Sequence, residues 1–268
     1  MLLLFDASPA SLVALEAALA LAGNGSGLRA VYIEDRDWLC SAGYAFSAEV
    51  SAFSGALRKH DPDTLEQRLM RRREHVRRSL RSSLAAADTH CPFEVVRGRG
   101  VEQVLALLRP RDRLVVGRVG YTAGMGRGLG SLALALARRA PGQVVLASAC
   151  KPGRPGSVAV LLDEPQAVSE LLDEAADRAR RLQCRLLVLL SSEGVDERAL
   201  SAWLAASQLR FELCRLPEGV EKHGYALRRS LVAASAGELL LSRRGRLFQS
   251  DSAPTLLARL PATVSVLP

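Results

Sequence analysis

The densest chemical signal in the chain is Gly117-Arg118-Val119-Gly120-Tyr121-Thr122-Ala123-Gly124-Met125-Gly126-Arg127-Gly128-Leu129-Gly130-Ser131. Six of the fourteen positions from 117 to 130 are glycine. Glycine lets a backbone close around an anion and reach positive φ. Successive main-chain amides in such a loop form an anion nest. An apolar run, Arg113–Val116, precedes the segment, and the helical pattern Ser131–Arg139 follows it. A strand-to-helix connection adds the free N–H groups and the positive dipole end of the helix, and Ser131 adds a hydroxyl. These are the parts of a phosphate cradle. No Gly-Lys-Ser/Thr follows, so it is not a lysine-type P-loop, and no G-x-G-x-x-G register fits it. It holds no Asp, Glu or His between Gly117 and Ser131. A group to deprotonate or orient a nucleophile is therefore missing from it, which points to binding rather than efficient catalysis.

The elements that must carry this loop follow from the apolar pattern. Leu2–Phe5 reads as a buried parallel strand ending at Asp6. Ser8-Pro9 starts a helix with proline in its first turn, and Gly23–Gly27 ends it. Leu28–Ile33 is a second strand. Residues 36–60, with Trp38, Tyr44, Phe46 and Phe53, read as a helical insertion packed on the domain. A long helix follows Asp61-Pro62, with Asp63 and Glu66 at capping-box spacing and an apolar stripe Leu65, Leu69, Val76, Leu80, Leu84. Arginines fill its other faces. Strands at Phe93–Val96, Arg113–Val116 and Gln143–Ala147 and a helix at Val101–Leu108 complete a βα alternation. Such alternation predicts an open parallel sheet with helices on both faces. Ligands then bind beyond the carboxyl ends of the strands, where strand order reverses.

The Pro/Gly-rich stretch Cys150–Gly156 separates a second round of the same pattern. Strands are expected at Ser157–Leu162, Arg185–Leu190, Arg210–Cys214, Glu238–Leu241 and Thr263–Leu267. Helices are expected at Pro165–Leu182, Glu197–Ser207, Tyr225–Ala234 and Thr255–Leu260. Asp6 precedes Ile33 by 27 positions, as Asp163 precedes Leu190. That match supports an internal duplication. The expected fold is α/β: two tandem open parallel-sheet, Rossmann-like domains, 1–149 and a shorter, degenerate 157–268, forming an intramolecular pseudo-dimer.

Composition sets the limits. Apolar residues make up 49% and charged residues 24%, an ordinary globular balance, and aromatics are only 4%. The net charge of +8 comes almost wholly from arginine, since the lysines are Lys59, Lys151 and Lys222. Charge alone reads as a solvated positive surface. Met1–Asp6 has no basic leader pattern, and no apolar run is long enough for a membrane span, so a cytoplasmic chain is expected. The five cysteines, Cys40, Cys91, Cys150, Cys184 and Cys214, form no C-x-x-C pair; they read as reduced, mostly buried thiols. No cluster of metal ligands is visible.

The spacing Gly117-x2-Gly120-x9-Gly130-Ser131 resembles the ATP-binding branch of the universal stress protein family. So do the opening strand with Asp6-Ala7-Ser8 and the closing Ala140-Pro141-Gly142-Gln143-Val144-Val145-Leu146. The resemblance covers residues 1–147 and is fainter over 157–268. It implies an adenine-nucleotide site for ATP, with any Mg²⁺ carried by the phosphates. Asp6 would bond the adenine or ribose edge, and Ile33 would meet adenine through its backbone. Gly117, Arg118 and Gly120 would line ribose and phosphates. Gly130, Ser131 and the Leu132 amide would hold the phosphates. Ala7, also at the ligand, stands where the family usually has glycine and would add one methyl there. In the second copy the corresponding exit, Leu241–Ser252, keeps only Gly245, so no nucleotide is expected there. The resemblance further implies that Gln143–Ala147 and Thr263–Leu267 pair across a pseudo-twofold, and that the function is stress-response regulation through a protein partner or self-association. A nucleotide-independent scaffold and a weak ATPase or self-phosphorylating protein remain alternatives. The four histidines, His60, His75, His90 and His223, lie outside the expected site. Nucleic-acid binding by the arginine-rich helix is disfavoured, because it lacks interleaved stacking aromatics.

Overall fold

The computed structural model describes residues 1–22, 27–35, 48–50, 55, 57–59, 62–85, 89–118, 128–149, 155–191, 195–217, 219 and 224–268. The first half runs β1 (Leu2–Leu4), α1 (Pro9–Ala22), β2 (Arg29–Asp35), β3 (Ala48–Val50), β4 (Leu57–Lys59), α2 (Pro62–Leu84), β5 (Phe93–Gly98), α3 (Gly100–Leu107), β6 (Arg113–Gly117), α4 (Ser131–Arg139) and β7 (Gln143–Ala147). The second runs β8 (Ser157–Leu162), a 3₁₀ turn Pro165–Ala167, α5 (Val168–Leu182), β9 (Arg185–Leu190), α6 (Glu197–Ser207), β10 (Phe211–Arg215), α7 (Tyr225–Ala233), β11 (Ala236–Ser242), α8 (Arg246–Gln249), α9 (Ala253–Arg259) and β12 (Thr263–Leu267).

Ten strands form one sheet in the order β10-β9-β8-β11-β12-β7-β6-β1-β2-β5. Numbered within its own half, each set of five has the order 3-2-1-4-5, and its pairs are parallel. The halves meet where β12 pairs antiparallel with β7, in the register Val264↔Leu146, Ser265↔Val145, Val266↔Val144. The expected pairing of the closing strands is thus present. It gives each closing strand a neighbour on both sides, so neither leaves an open ladder. The fold is α/β, two tandem open parallel sheets fused into one, as the alternation predicts.

The two faces differ. On one, a single apolar cluster runs unbroken through the seam, from Val144 and Leu146 to Val264 and Val266, beneath α3, α4, α7, α8 and α9. On the other, α1 and α2 cover one cluster around Leu3, Phe5, Val115 and Val145. There α5 and α6 cover a separate one around Val158, Val160 and Leu162. Between those two clusters lies a polar seam. Arg178, 2% exposed, donates to Glu238, to Ser265 Oγ at 3.0 Å and to Glu174 Oε1 at 2.8 Å. Arg113 in the first half reaches the same Glu174 oxygen at 3.1 Å and Gln143 Oε1 at 2.7 Å. Burial pulls the Arg178 guanidinium down to about 10, with Glu174 acting against it, so it stays charged at neutral pH.

Several local expectations are corrected. The insertion was expected to be helical, but its described parts pair antiparallel as β3 and β4, Glu49 opposite Arg58; the rest lies outside the described residues. Helix α2 begins at Pro62, so Asp63 stands inside the helix rather than at its cap. Proline at the first helical position needs no intrahelical acceptor for an N–H and has its φ preset for the helix. Pro165–Ala167 is a 3₁₀ turn before α5, not its first turn. Helix α8 follows Gly245 unannounced by any apolar repeat. The cysteines described, Cys91, Cys184 and Cys214, are free and half-buried rather than enclosed.

Candidate functional site

In the first half, strand order reverses between β1 and β6: the chain runs β1, β2, β5 to one side and β6, β7 to the other. Asp6 leaves β1 and Gly117 ends β6 at this junction, since Leu3 pairs with Val115. A crevice at such carboxyl ends is where α/β sheets take ligands.

Asp6 is held by the chain that follows it. Its Oδ1 accepts the Ser8 amide at 2.9 Å, and Ser8 Oγ accepts the Ser11 amide at 3.2 Å. Between them Ala7 has φ +59°. This left-handed residue turns the chain out of β1 and into α1. It costs a non-glycine residue about 1–2 kcal/mol. The family's glycine at this place would meet no such cost. Gly117 is constrained from the other side: a Cβ there would lie 2.7 Å from the Ala10 carbonyl oxygen, so α1 packs directly on its backbone. Its absence of a side chain serves helix–strand contact, whatever else it serves.

Ile33 lies on β2 opposite Val96. The Phe5 amide donates to Val31 O at 2.9 Å. Two residues on, Ile33 therefore turns its own N–H and C=O to the same side, beyond the end of β1. Gly130 is the N-cap of α4, without a side-chain acceptor. Its amide closes the connection onto Arg118 O at 2.8 Å, and its carbonyl accepts Leu134 N–H at 3.0 Å. The amides of Ser131, Leu132 and Ala133 thus have no intrahelical acceptor. No acidic residue sits in that turn, and Ser131 is exposed. Donors without a competing carboxylate fit an anion such as a phosphate. Gly120 lies outside the described residues.

Arg118 departs from its expected place beside a ligand. Its guanidinium, 6% exposed, is turned toward the second half and donates to Leu260 O at 2.6 Å, Ala262 O and Leu146 O. Helix α2 contributes what the sequence reading missed. Arg72 donates to Asp6 O at 2.8 Å. It is also hydrogen-bonded to Tyr32, whose phenol burial pushes up while Arg72 pulls it down. Glu34, 1% exposed, takes two bonds from Arg73, at 3.0 and 2.9 Å, and one from Arg97 at 2.8 Å. Arginines at 72, 73 and 97 look like surface charge in the sequence; a buried glutamate at a strand end is the one signal that needed a cation.

The second half has the same junction between β8 and β11, but it is filled. Asp163, 3% exposed, accepts the Leu247 amide at 2.9 Å through Oδ2, so the chain itself occupies the acceptor. A Cβ on Gly245 would lie 2.2 Å from Asp163 Oδ1. That oxygen is buried and has no hydrogen-bond partner among the described residues. Leu247 and Phe248 are enclosed just beyond it. Burial pushes the Asp163 carboxyl up to about 6, against the Leu247 amide, which lowers it. These residues do not fit a nucleotide phosphate. Among the described residues no helix is long and apolar enough to cross a membrane, and no group of three or more His, Cys, Asp or Glu could hold a metal.

No known protein-family profile matches the chain, and no curated protein does. Solved structures do match. A universal stress protein from Archaeoglobus fulgidus aligns with TM-score 0.74 and 15% identity, over 100% of this chain and 95% of that one. A putative universal stress protein from Pseudomonas aeruginosa aligns with TM-score 0.58 and 13% identity, over 99% and 91%. A functionally unknown protein from the same species gives 0.59 and 14%, over 99% and 91%. The chain therefore has the fold of universal stress proteins, along its whole length.

Proposed function

We propose that this chain is a tandem universal stress protein that binds one adenine nucleotide, ATP, in its first domain, residues 1–149. In this reading the second domain, 157–268, has lost its site and supports the first. The observation that carries the reading is the contrast between two equivalent junctions. One combines Asp6, the Ile33 backbone, and an uncapped α4 N-terminus with no acidic residue; the other is closed by its own chain on Asp163. Asp6 and Ile33 would hold the base end. Gly130, Ser131 and Leu132 would hold the phosphates, with Mg²⁺ bound by the phosphates themselves. The nucleotide supplies the charge that the α4 amides neutralise, and Ser131 orients it. No carboxylate or imidazole stands between Gly117 and Ser131 to activate water. The activity proposed is therefore regulation of a protein contact in the cytoplasm by nucleotide occupancy, in response to stress, rather than turnover.

Calorimetry with ATP and Mg²⁺ on the purified full chain tests this, together with assay of nucleotide released on denaturation. Gly117 is unsuitable as a probe, because any side chain there strikes Ala10. Asp6→Asn keeps the acceptor for Ser8 and removes only the charge. The expected result is one site of order-of-magnitude micromolar affinity, weakened about tenfold by Asp6→Asn. Asp163→Asn should leave it unchanged. Absence of both binding and co-purified nucleotide would leave a scaffold in its place.

A further inference from the structure

The connection that carries the glycine motif is gripped at both stems by the second half. At the first stem, the Arg118 guanidinium donates to Leu260 O and Ala262 O. At the other, the Leu129 amide donates to Pro254 O at 3.1 Å, and the Gly130 amide ties the stems together on Arg118 O. Leu129 is buried in the apolar cluster that crosses the seam.

The same grip exists in reverse. Gly117 pairs with Ala147 and Ser242 with Leu267, so Arg118 and Arg243 are equivalent residues, each the first past its fourth strand. Arg243 donates to Ala137 O at 2.8 Å, Ala140 O at 2.5 Å and Gly142 O at 2.8 Å. Ala140 and Gly142 flank Pro141 as Leu260 and Ala262 flank Pro261. With Leu146 O, which Arg118 takes from its own half, all six acceptors are main-chain carbonyls. The planar guanidinium suits them because it presents several donors in a fixed fork, which an ammonium cannot do. The symmetry breaks at the third acceptor, Leu146 of its own half for Arg118 but Ala137 of the other half for Arg243, and again beyond the arginines: past Arg243 the chain closes on Asp163, while past Arg118 it enters the glycine connection.

We infer that Arg118 is a positioning residue through which the turn 260–262 of the second half sets the stems of the nucleotide-binding connection. The inference rests on the nucleotide reading above. The second half is then a foundation for the first site, and whatever displaces residues 254–262 lowers nucleotide affinity. Nucleotide binding reciprocally tightens the junction of the halves, because coupling between two sites is mutual.

The test compares Arg118→Lys with Arg243→Lys in the full chain. Both remove one fork on the opposite half's proline turn and keep the charge, so both lower the melting temperature. Only Arg118→Lys loosens the glycine stems. Two readouts are taken: ATP affinity by calorimetry, and amide hydrogen exchange of a peptide covering 128–134 in nucleotide-free protein. Arg118→Lys is expected to weaken ATP by about tenfold and speed exchange by a similar factor, while Arg243→Lys changes each less than about twofold. Equal effects of the two variants on both readouts would overturn the inference, as would no effect of Arg118→Lys on exchange. If the wild-type chain binds no ATP, the nucleotide reading falls, and the exchange comparison still decides whether the second half holds the stems.

Discussion

Replacing Asp163 by asparagine should stabilise the protein, and more so at neutral than at acid pH. The carboxyl is 3% exposed, has one oxygen without a partner among the described residues, and is pushed by burial up to about 6 from an ordinary 3.8. Because the folded value is the higher one, the fold favours the protonated acid. That favourable contribution is fully present below the unfolded value and is lost as pH rises through about 6. Above it, keeping an ionised Asp163 costs about 3 kcal/mol. At about pH 4.5 the cost is only about 1 kcal/mol, since the folded group is still protonated. Asparagine is neutral throughout and keeps an acceptor for Leu247. Urea denaturation followed by circular dichroism at about pH 4.5 and about pH 7.5 measures the difference. The gain from Asp163→Asn should be larger by about 2 kcal/mol at the higher pH. Equal effects at the two pH values would refute the reasoning, because they would mean that Asp163 ionises in the fold as it does in the unfolded chain.

Ala7→Gly should raise stability by about 1 kcal/mol, read from the same denaturation curves, because φ +59° strains alanine and not glycine. Arg178→Met should cost about 3–5 kcal/mol by leaving Glu238 buried without its cation, while the double variant Arg178→Met, Glu238→Leu recovers most of that loss. A double-mutant cycle by chemical denaturation checks this, and a simply additive result would show that the two side chains are not coupled.

Local pattern made most of the fold legible. The strand runs Gln143–Ala147, Ser157–Leu162, Arg185–Leu190 and Thr263–Leu267 were read with the bounds observed, because fully buried parallel strands are unbroken aliphatic runs with clear stops. Asp6 and Gly117 were placed at one junction by strand order alone. What stayed hidden depends on contacts distant in sequence. Arg118 was assigned to the ligand by its place in the motif, but its side chain answers to Leu260 and Ala262, more than a hundred residues away. Arg243 hid in the same manner. The seam of Arg178, Glu238 and Glu174 could not be seen either, since charges at helical spacing read as a solvated face. Helix α8 is too short to show a period, and β3 and β4 are too short to show an alternation. Ala7 was read as an extra methyl; its positive φ gives the reason glycine suits that position.

The antiparallel seam has a consequence for how the chain is made. Strand β7 ends at Ala147 and its partner β12 at Leu267, so roughly 120 residues separate them during synthesis. At about 5–20 residues per second, the first half waits on the order of 6–24 s with Val144, Val145 and Leu146 on an open edge. During that interval any neighbouring nascent chain offers the same edge, and later the same β12. Two chains that trade second halves would form the same β7–β12 pairs in both seams. Dense polysomes should therefore favour exchanged dimers, and dilute refolding should favour the closed monomer.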